Sequence, residues 1–144
     1  MIIRRMEERD IPEVVIIEND TFSSPWSAES FLNETKSENN LYLVVLDNDE
    51  VVGYCGVWGI AGEGQITNVA VRKENRNQGI GKLMLTQLIH LAREKGMESF
   101  TLEVRESNKS ALHLYESLGF NSVGVRKDFY TKPTENAVIM WLQE

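Results

Sequence analysis

The stretch NRNQGIGK, residues 75–82, sets Gly79 and Gly81 one residue apart at the mouth of an apolar helical pattern. Glycines at such a point let backbone come close to a ligand, because they carry no side chain. The first N–H groups of a helix have no partner within it, and the helix dipole there favours an anion. The local charge agrees: Arg72, Lys73, Arg76 and Lys82 against Glu74 leave three net positive charges between residues 72 and 82. The chemistry these residues fit is the holding of a compact anion such as a pyrophosphate. Charge alone leaves a second reading beside it, a solvated basic turn that binds nothing.

Two familiar phosphate loops do not match. A Walker loop has four residues between its glycines and Ser or Thr after the lysine, whereas here Ile80 alone separates the glycines and Leu83 follows Lys82. A dinucleotide loop places a third glycine where Met84 stands and follows its strand almost at once. Residues 72–78 separate Val71 from Gly79 instead.

The body around this island is acidic. Net charge is −7 over 144 residues, from 15 Lys and Arg against 22 Asp and Glu, which disfavours general nucleic-acid binding and favours cationic partners. A chain of this length fits one domain, residues 1–144, with a real core. Its apolar runs, such as residues 41–46, are too short for a bilayer, and the charged MIIRRMEERD start does not resemble a secretory leader. Cys55 is the only cysteine, so no internal disulfide or multi-cysteine metal site can form. His90 and His113 have no second ligand nearby in the sequence, and no metal is expected. These features together predict a cytoplasmic protein.

Local patterns define the elements that must position the loop. Residues 2–6 form a strand. Asp10 precedes Ile11-Pro12-Glu13, a capping pattern, and Ile11, Val14, Val15 and Phe22 come after it at helical spacing. Ser27 caps a second helix running to about Thr35. Residues 41–46 and 51–60 form a hairpin through 47–50, and a second turn at 59–64 leads into a strand over 65–71. The helix over 79–95 carries Ile80, Leu83, Met84, Leu88, Leu91 and Ala92 as its apolar stripe and ends at Gly96. In the strand over 99–104, Phe100, Leu102 and Val104 face one way, and Ser99, Thr101 and Glu103 the other. Ser107 or Asn108 caps a helix bearing Ala111, Leu114, Tyr115 and Leu118, closed by Gly119. Strands near 120–128 and 137–142 complete a mixed α/β sheet with helices on its faces.

With the elements in order, RNQGIG (76–81) after a strand and before a long helix resembles the Arg/Gln-x-x-Gly-x-Gly/Ala motif of the GNAT acetyltransferases. Within that superfamily SSPWS (23–27), ITNVAV (66–71), LEVRESN (102–108) and ALHLYESLGF (111–120) are similar to the RimI group, the ribosomal-protein alanine N-acetyltransferases. The resemblance covers essentially the whole chain. It implies a GNAT fold, with a mixed, mostly antiparallel, splayed sheet and about four helices. It also implies acetyl-CoA as cosubstrate. Val69, Ala70 and Val71 would pair with the pantetheine arm; Asn77, Gln78, Gly79, Ile80, Gly81 and Lys82, opened by Arg76, would hold the pyrophosphate; and Asn108 would meet the lower pantetheine.

Acetyl transfer to an amine needs a neutral amine, a stabilised oxyanion and a protonated leaving sulfur. A protein α-amine titrates near about 7.7–8.0 and a lysine near about 10.4, so neutralising the first near about pH 7.5 costs well under 1 kcal/mol and the second about 4. A modest base therefore suffices for a chain terminus. The resemblance points to Glu103 as that base and Tyr115 as the acid that protonates the CoA thiolate. Without it, Glu103 reads as a solvated strand residue and Tyr115 as part of a packed face. A carboxylate is a weak base, so partial burial or a relaying water is needed. The Val69 N–H is the candidate oxyanion donor.

The implied acceptor is the basic N-terminal peptide of a small-subunit ribosomal protein with alanine first. Trp26 and Tyr130 are candidate acceptor contacts, each with an ordinary packing role as its rival. Relatives of the RimI group often carry an acid where this chain has Asn136. Two other functions stay open: the same chemistry on a lysine, polyamine or other small amine, and a non-catalytic acetyl-CoA sensor.

Overall fold

The computed structural model describes residues 1–143. Seven strands lie in one sheet in the order β1-β2-β3-β4-β5-β7-β6. They are β1 (Ile2–Arg5), β2 (Asn40–Asp47), β3 (Glu50–Ile60), β4 (Glu63–Val71), β5 (Ser99–Arg105), β6 (Asn121–Tyr130) and β7 (Glu135–Gln143). The α-helices among the described residues are α1 (Ile11–Thr21), α2 (Ala28–Thr35), α3 (Ile80–Glu94) and α4 (Lys109–Ser117). Every neighbouring pair is antiparallel except β4 and β5, which run parallel.

Strand alternation separates two cores. Leu41, Leu43 and Val45 of β2 go with Met84, Leu88, Phe100 and Tyr115 under α3 and α4. Tyr42 and Val44 go with Val14, Ile17 and Phe31 under α1 and α2. The β2–β3 hairpin closes through Asn48 and Asp49, both at positive φ (50° and 67°), the twist that suits a two-residue turn.

β4 carries an irregularity that sets which side chains face each core. Its pairing with β3 steps from Gly56↔Asn68 to Val57↔Ile66, leaving Thr67 as an extra residue. Ile66 and Val69 therefore both face the α3 side, while Asn68 and Ala70 turn to the α1 side.

Two local expectations are corrected, and one open choice is settled. Asp10 does not cap α1: its carboxylate accepts from Glu7 N–H at 2.7 Å and from Arg4 at 2.7 and 2.9 Å. Leu83 is 52% exposed, and Leu85 and Ile89 fill the core instead. Of the two candidate caps for α4, Asn108 is the one used, its Oδ1 accepting from Ala111 N–H at 3.2 Å. The cap of α2 is as expected, with Ser27 Oγ accepting from Ser30 N–H at 3.1 Å. No helix among the described residues is long and apolar enough to cross a membrane.

Candidate active site

β4 and β5 are in register only where Glu63, Gly64 and Gln65 meet Ser99, Phe100 and Thr101. Beyond that they part. The far edge of β4 stays paired with β3 as far as Val71, and the far edge of β5 stays paired with β7 as far as Arg105. Between 66–71 and 102–105 the two facing edges thus open a V-shaped notch through the sheet. Strand edges there keep backbone donors and acceptors for a ligand that itself carries amides. Val69, Ala70 and Val71 line one side, as the resemblance implies for a pantetheine arm.

At the open end of β4 the chain turns through a short 3₁₀ segment, Lys73–Asn75, into α3. Asn77 and Gly79 both take positive φ (63° and 81°), and no side chain caps the helix. The first N–H groups of a 15-residue helix are left for an external anion, and they fit a pyrophosphate. Within the protein the two glycines serve different ends. A Cβ on Gly79 would meet nothing within 4 Å, so its need is the left-handed backbone. A Cβ on Gly81 would stand 3.1 Å from Leu114 Cδ2, so this glycine lets α3 approach α4. Ile80 is buried and offers only its backbone; Gln78 and Lys82 are not. Arg76 folds back, its Nε donating to Val71 O at 3.0 Å. A cavity of about 490 Å³ lies beside this loop, between α1 and Arg72, Lys73 and Arg76. A smaller one, about 270 Å³ beside Gly59 and Gly62, is far from the notch.

Glu103 and Tyr115 reach the notch from opposite faces. Leu102 and Val104 point into the α3–α4 core, so Glu103 between them projects to the α1–α2 side. Arg126, reaching across β7, places Nε 2.8 Å from Glu103 Oε2. That N–H is not aimed at the oxygen, which is buried and accepts no hydrogen bond among the described residues. Tyr115 comes from α4, buried edge-on to Phe120 at 5.9 Å between ring centroids. Burial first, then Tyr130 and Cys55, raises its phenol far above the ordinary value. Burial alone does the same to the Cys55 thiol.

Tyr130 lies at the end of β6. Burial, then Glu103, lifts its phenol to about 12, with Arg105 opposing and Glu135 adding to the rise. Arg105 stands within the LEVRESN motif, where its type and spacing alone give it no task. Its guanidinium lies 4.5 Å over the Tyr130 ring and pairs with Glu135 at 3.2 Å. Glu135 also accepts from Ser107 N–H at 2.6 Å; Ser107 first and Arg105 after it hold its carboxyl below the usual range. Asn136 Oδ1 accepts from Asp128 N–H at 2.9 Å and so shapes the β6–β7 hairpin.

Trp26 lies within a cluster, stacked on Trp58 at 5.9 Å and tilted against Phe31 at 5.2 Å. Its backbone N–H donates to Glu18 at 2.9 Å. Glu18 is 1% exposed and also accepts from Tyr54 Oη at 2.6 Å and Asn68 Nδ2 at 3.4 Å. Nothing in the sequence marked this buried carboxylate, because Glu18 sits on α1 among ordinary polar residues. No cluster of metal-ligating side chains occurs among the described residues. Asn108 spends its carbonyl oxygen on the α4 cap, which leaves its amide N–H₂ for a ligand.

Known proteins share this fold and sequence. The acetyltransferase (GNAT) family model matches residues 11–120. The ribosomal protein bS18-alanine N-acetyltransferase of Haemophilus influenzae is 38% identical over 142 residues, covering 96% of each chain. The crystal structure of the ribosomal-protein-S18-alanine N-acetyltransferase from Escherichia coli superposes with a TM-score of 0.89 at 33% identity, over 99% of this chain and 92% of that one. The structure of Ard1 from Thermoplasma volcanium gives 0.90 at 26% identity, over 99% and 96%. With its split sheet, its glycine-led helix and these relatives, the chain belongs to the GNAT acetyltransferase family.

Proposed function

We propose that this protein is a cytoplasmic N-terminal acetyltransferase whose acceptor is the α-amine of an N-terminal alanine on a bS18-type ribosomal protein. Acetyl-CoA supplies the acyl group as a thioester. The open edge of β4 at Val69, Ala70 and Val71 takes the pantetheine amides, the bare N-terminus of α3 takes the pyrophosphate, and Lys82 and Arg76 add positive charge. Glu103 accepts a proton from the acceptor amine, directly or through one water. The amine nitrogen then bonds to the carbonyl carbon as the C–S bond breaks. Backbone N–H at Val69 faces the developing oxyanion, and Tyr115 gives its proton to the departing sulfur.

The observation that carries this reading is the parting of β4 from β5, with a carboxylate on one face and a buried phenol on the other. The acidic body suits a basic peptide, and the relatives at 38% and 33% identity are named for that acceptor. The test is release of free CoA from acetyl-CoA with a basic, alanine-first peptide. Blocking the peptide's N-terminus should abolish release; undiminished release would refute the α-amine acceptor.

A further inference from the structure

The α1–α2 segment, residues 22–27, and the β6–β7 turn, residues 131–134, are about a hundred positions apart in the chain. They meet on the face of the sheet to which Glu103 projects. One side chain joins them. Arg105, the last residue of β5, donates through Nη2 to Ser23 Oγ at 3.1 Å and to Thr131 O at 3.0 Å. Through Nη1 it donates to Pro133 O at 2.9 Å and to Glu135 at 3.2 Å. Ser23 Oγ in turn donates to Thr131 O at 3.1 Å, closing the ring of contacts. The same guanidinium lies on the Tyr130 ring, whose phenol feels the Glu103 charge.

We propose that Arg105 is a positioning residue that clasps the acceptor entrance: it fixes the distance between Ser23 and the β6–β7 turn, holds the Tyr130 ring in place, and thereby favours a small first residue. The inference rests on the N-terminal acceptor proposed above. A planar guanidinium is suited to the task, because its two Nη atoms diverge at a fixed angle toward partners on separate segments. A lysine carries the same charge on a point and cannot serve four acceptors at once. A frame held on both sides excludes bulk, whereas one free to splay admits it. The hydrogen bonds and ion pair of the Arg105 side chain go to Ser23, Thr131, Pro133 and Glu135 and none to the loop at 75–82, so the clasp acts on the acceptor and not on acetyl-CoA.

The test compares Arg105→Met, Arg105→Lys and Ser23→Ala with wild type, using basic peptides that begin with alanine or with leucine. In Arg105→Met the KM for the alanine peptide should rise about tenfold, with the acetyl-CoA KM within about twofold of wild type. The preference for alanine over leucine should shrink. Arg105→Lys should not restore it, and Ser23→Ala should lie between. Hydrogen exchange should quicken in 22–27 and 131–134 together in Arg105→Met, and the unchanged binding of acetyl-CoA reports that the variant is folded. If exchange quickens in both segments while the peptide KM and the preference stay put, Arg105 is only structural and the clasp is refuted. Equal rises in both KM values, or full rescue by lysine, refute it as well. Failure of the wild type to use the alanine peptide is a different result and strikes the acceptor assignment itself.

Discussion

Arg126 Nε stands 2.8 Å from Glu103 Oε2, with the whole of strand β7 between their backbones. The arginine is 59% exposed at its side chain, the glutamate 19%, so the pair marks the boundary between solvent and notch. The buried oxygen accepts no hydrogen bond among the described residues. Glu103→Gln keeps the shape and removes the basicity. Its kcat should fall about 10²- to 10⁴-fold, the usual worth of a general base. Acetyl-CoA affinity, measured by calorimetry, should be unchanged.

All four tyrosines, Tyr42, Tyr54, Tyr115 and Tyr130, are raised above the ordinary phenol value, in each case by burial first. A raised phenol stabilises the fold fully below the unfolded value of about 10 only in the sense that protonation is free there; above it, the folded state resists ionisation and the unfolded state does not. Stability contributed by the neutral phenol is therefore lost as pH climbs from about 10 through the folded value. Near-UV titration should show little tyrosinate around pH 10, and its appearance should accompany alkaline unfolding or lie near 12, where Tyr42 and Tyr130 titrate. Tyr115→Phe should remove one late-titrating phenol and slow turnover, with acetyl-CoA binding kept.

The two loop glycines should fail in different ways. Gly79→Ala forces a side chain into a left-handed backbone at a cost of about 1–2 kcal/mol, without a clash. Its effect should be on thermal stability and acetyl-CoA affinity. Gly81→Val meets Leu114 on α4, one residue from Tyr115, and should lower kcat as well as stability. Thermal melts and steady-state kinetics on both variants separate these outcomes.

Glu18→Ala leaves Trp26 N–H, Tyr54 Oη and Asn68 Nδ2 without their acceptor in a buried site. Unsatisfied buried groups cost about 1–3 kcal/mol each, and a loss of roughly 3 kcal/mol or more in urea denaturation is expected. A change below about 1 kcal/mol would mean that the network does not hold α1 to β3 and β4.

How much of the fold and site was legible in the sequence depends on where each signal lives. Ser27, Gly96 and Gly119 announce helix ends by local chemistry, and all three act as read, the two glycines at φ of 102° and 100°. Alternation placed Leu102 and Val104 opposite Glu103 correctly. The Asp10 cap failed because Arg4, six residues earlier, competes for the same carboxylate once β1 lies beside it. Leu83 failed because a stripe drawn at helical spacing does not say where the core ends. Contacts between distant segments, Arg126 with Glu103 and Arg105 with Ser23, have no local spacing to betray them; they exist only once the sheet is assembled.

One product decides whether the notch works as proposed. Purified protein, acetyl-CoA and an unmodified bS18-type ribosomal protein beginning with alanine should give a single added acetyl group, placed by fragment mass spectrometry on the α-nitrogen of that alanine. Glu103→Gln should yield almost none in the same time. An acetyl group on an internal lysine with the terminus left free, or an undiminished yield from the variant, would contradict it.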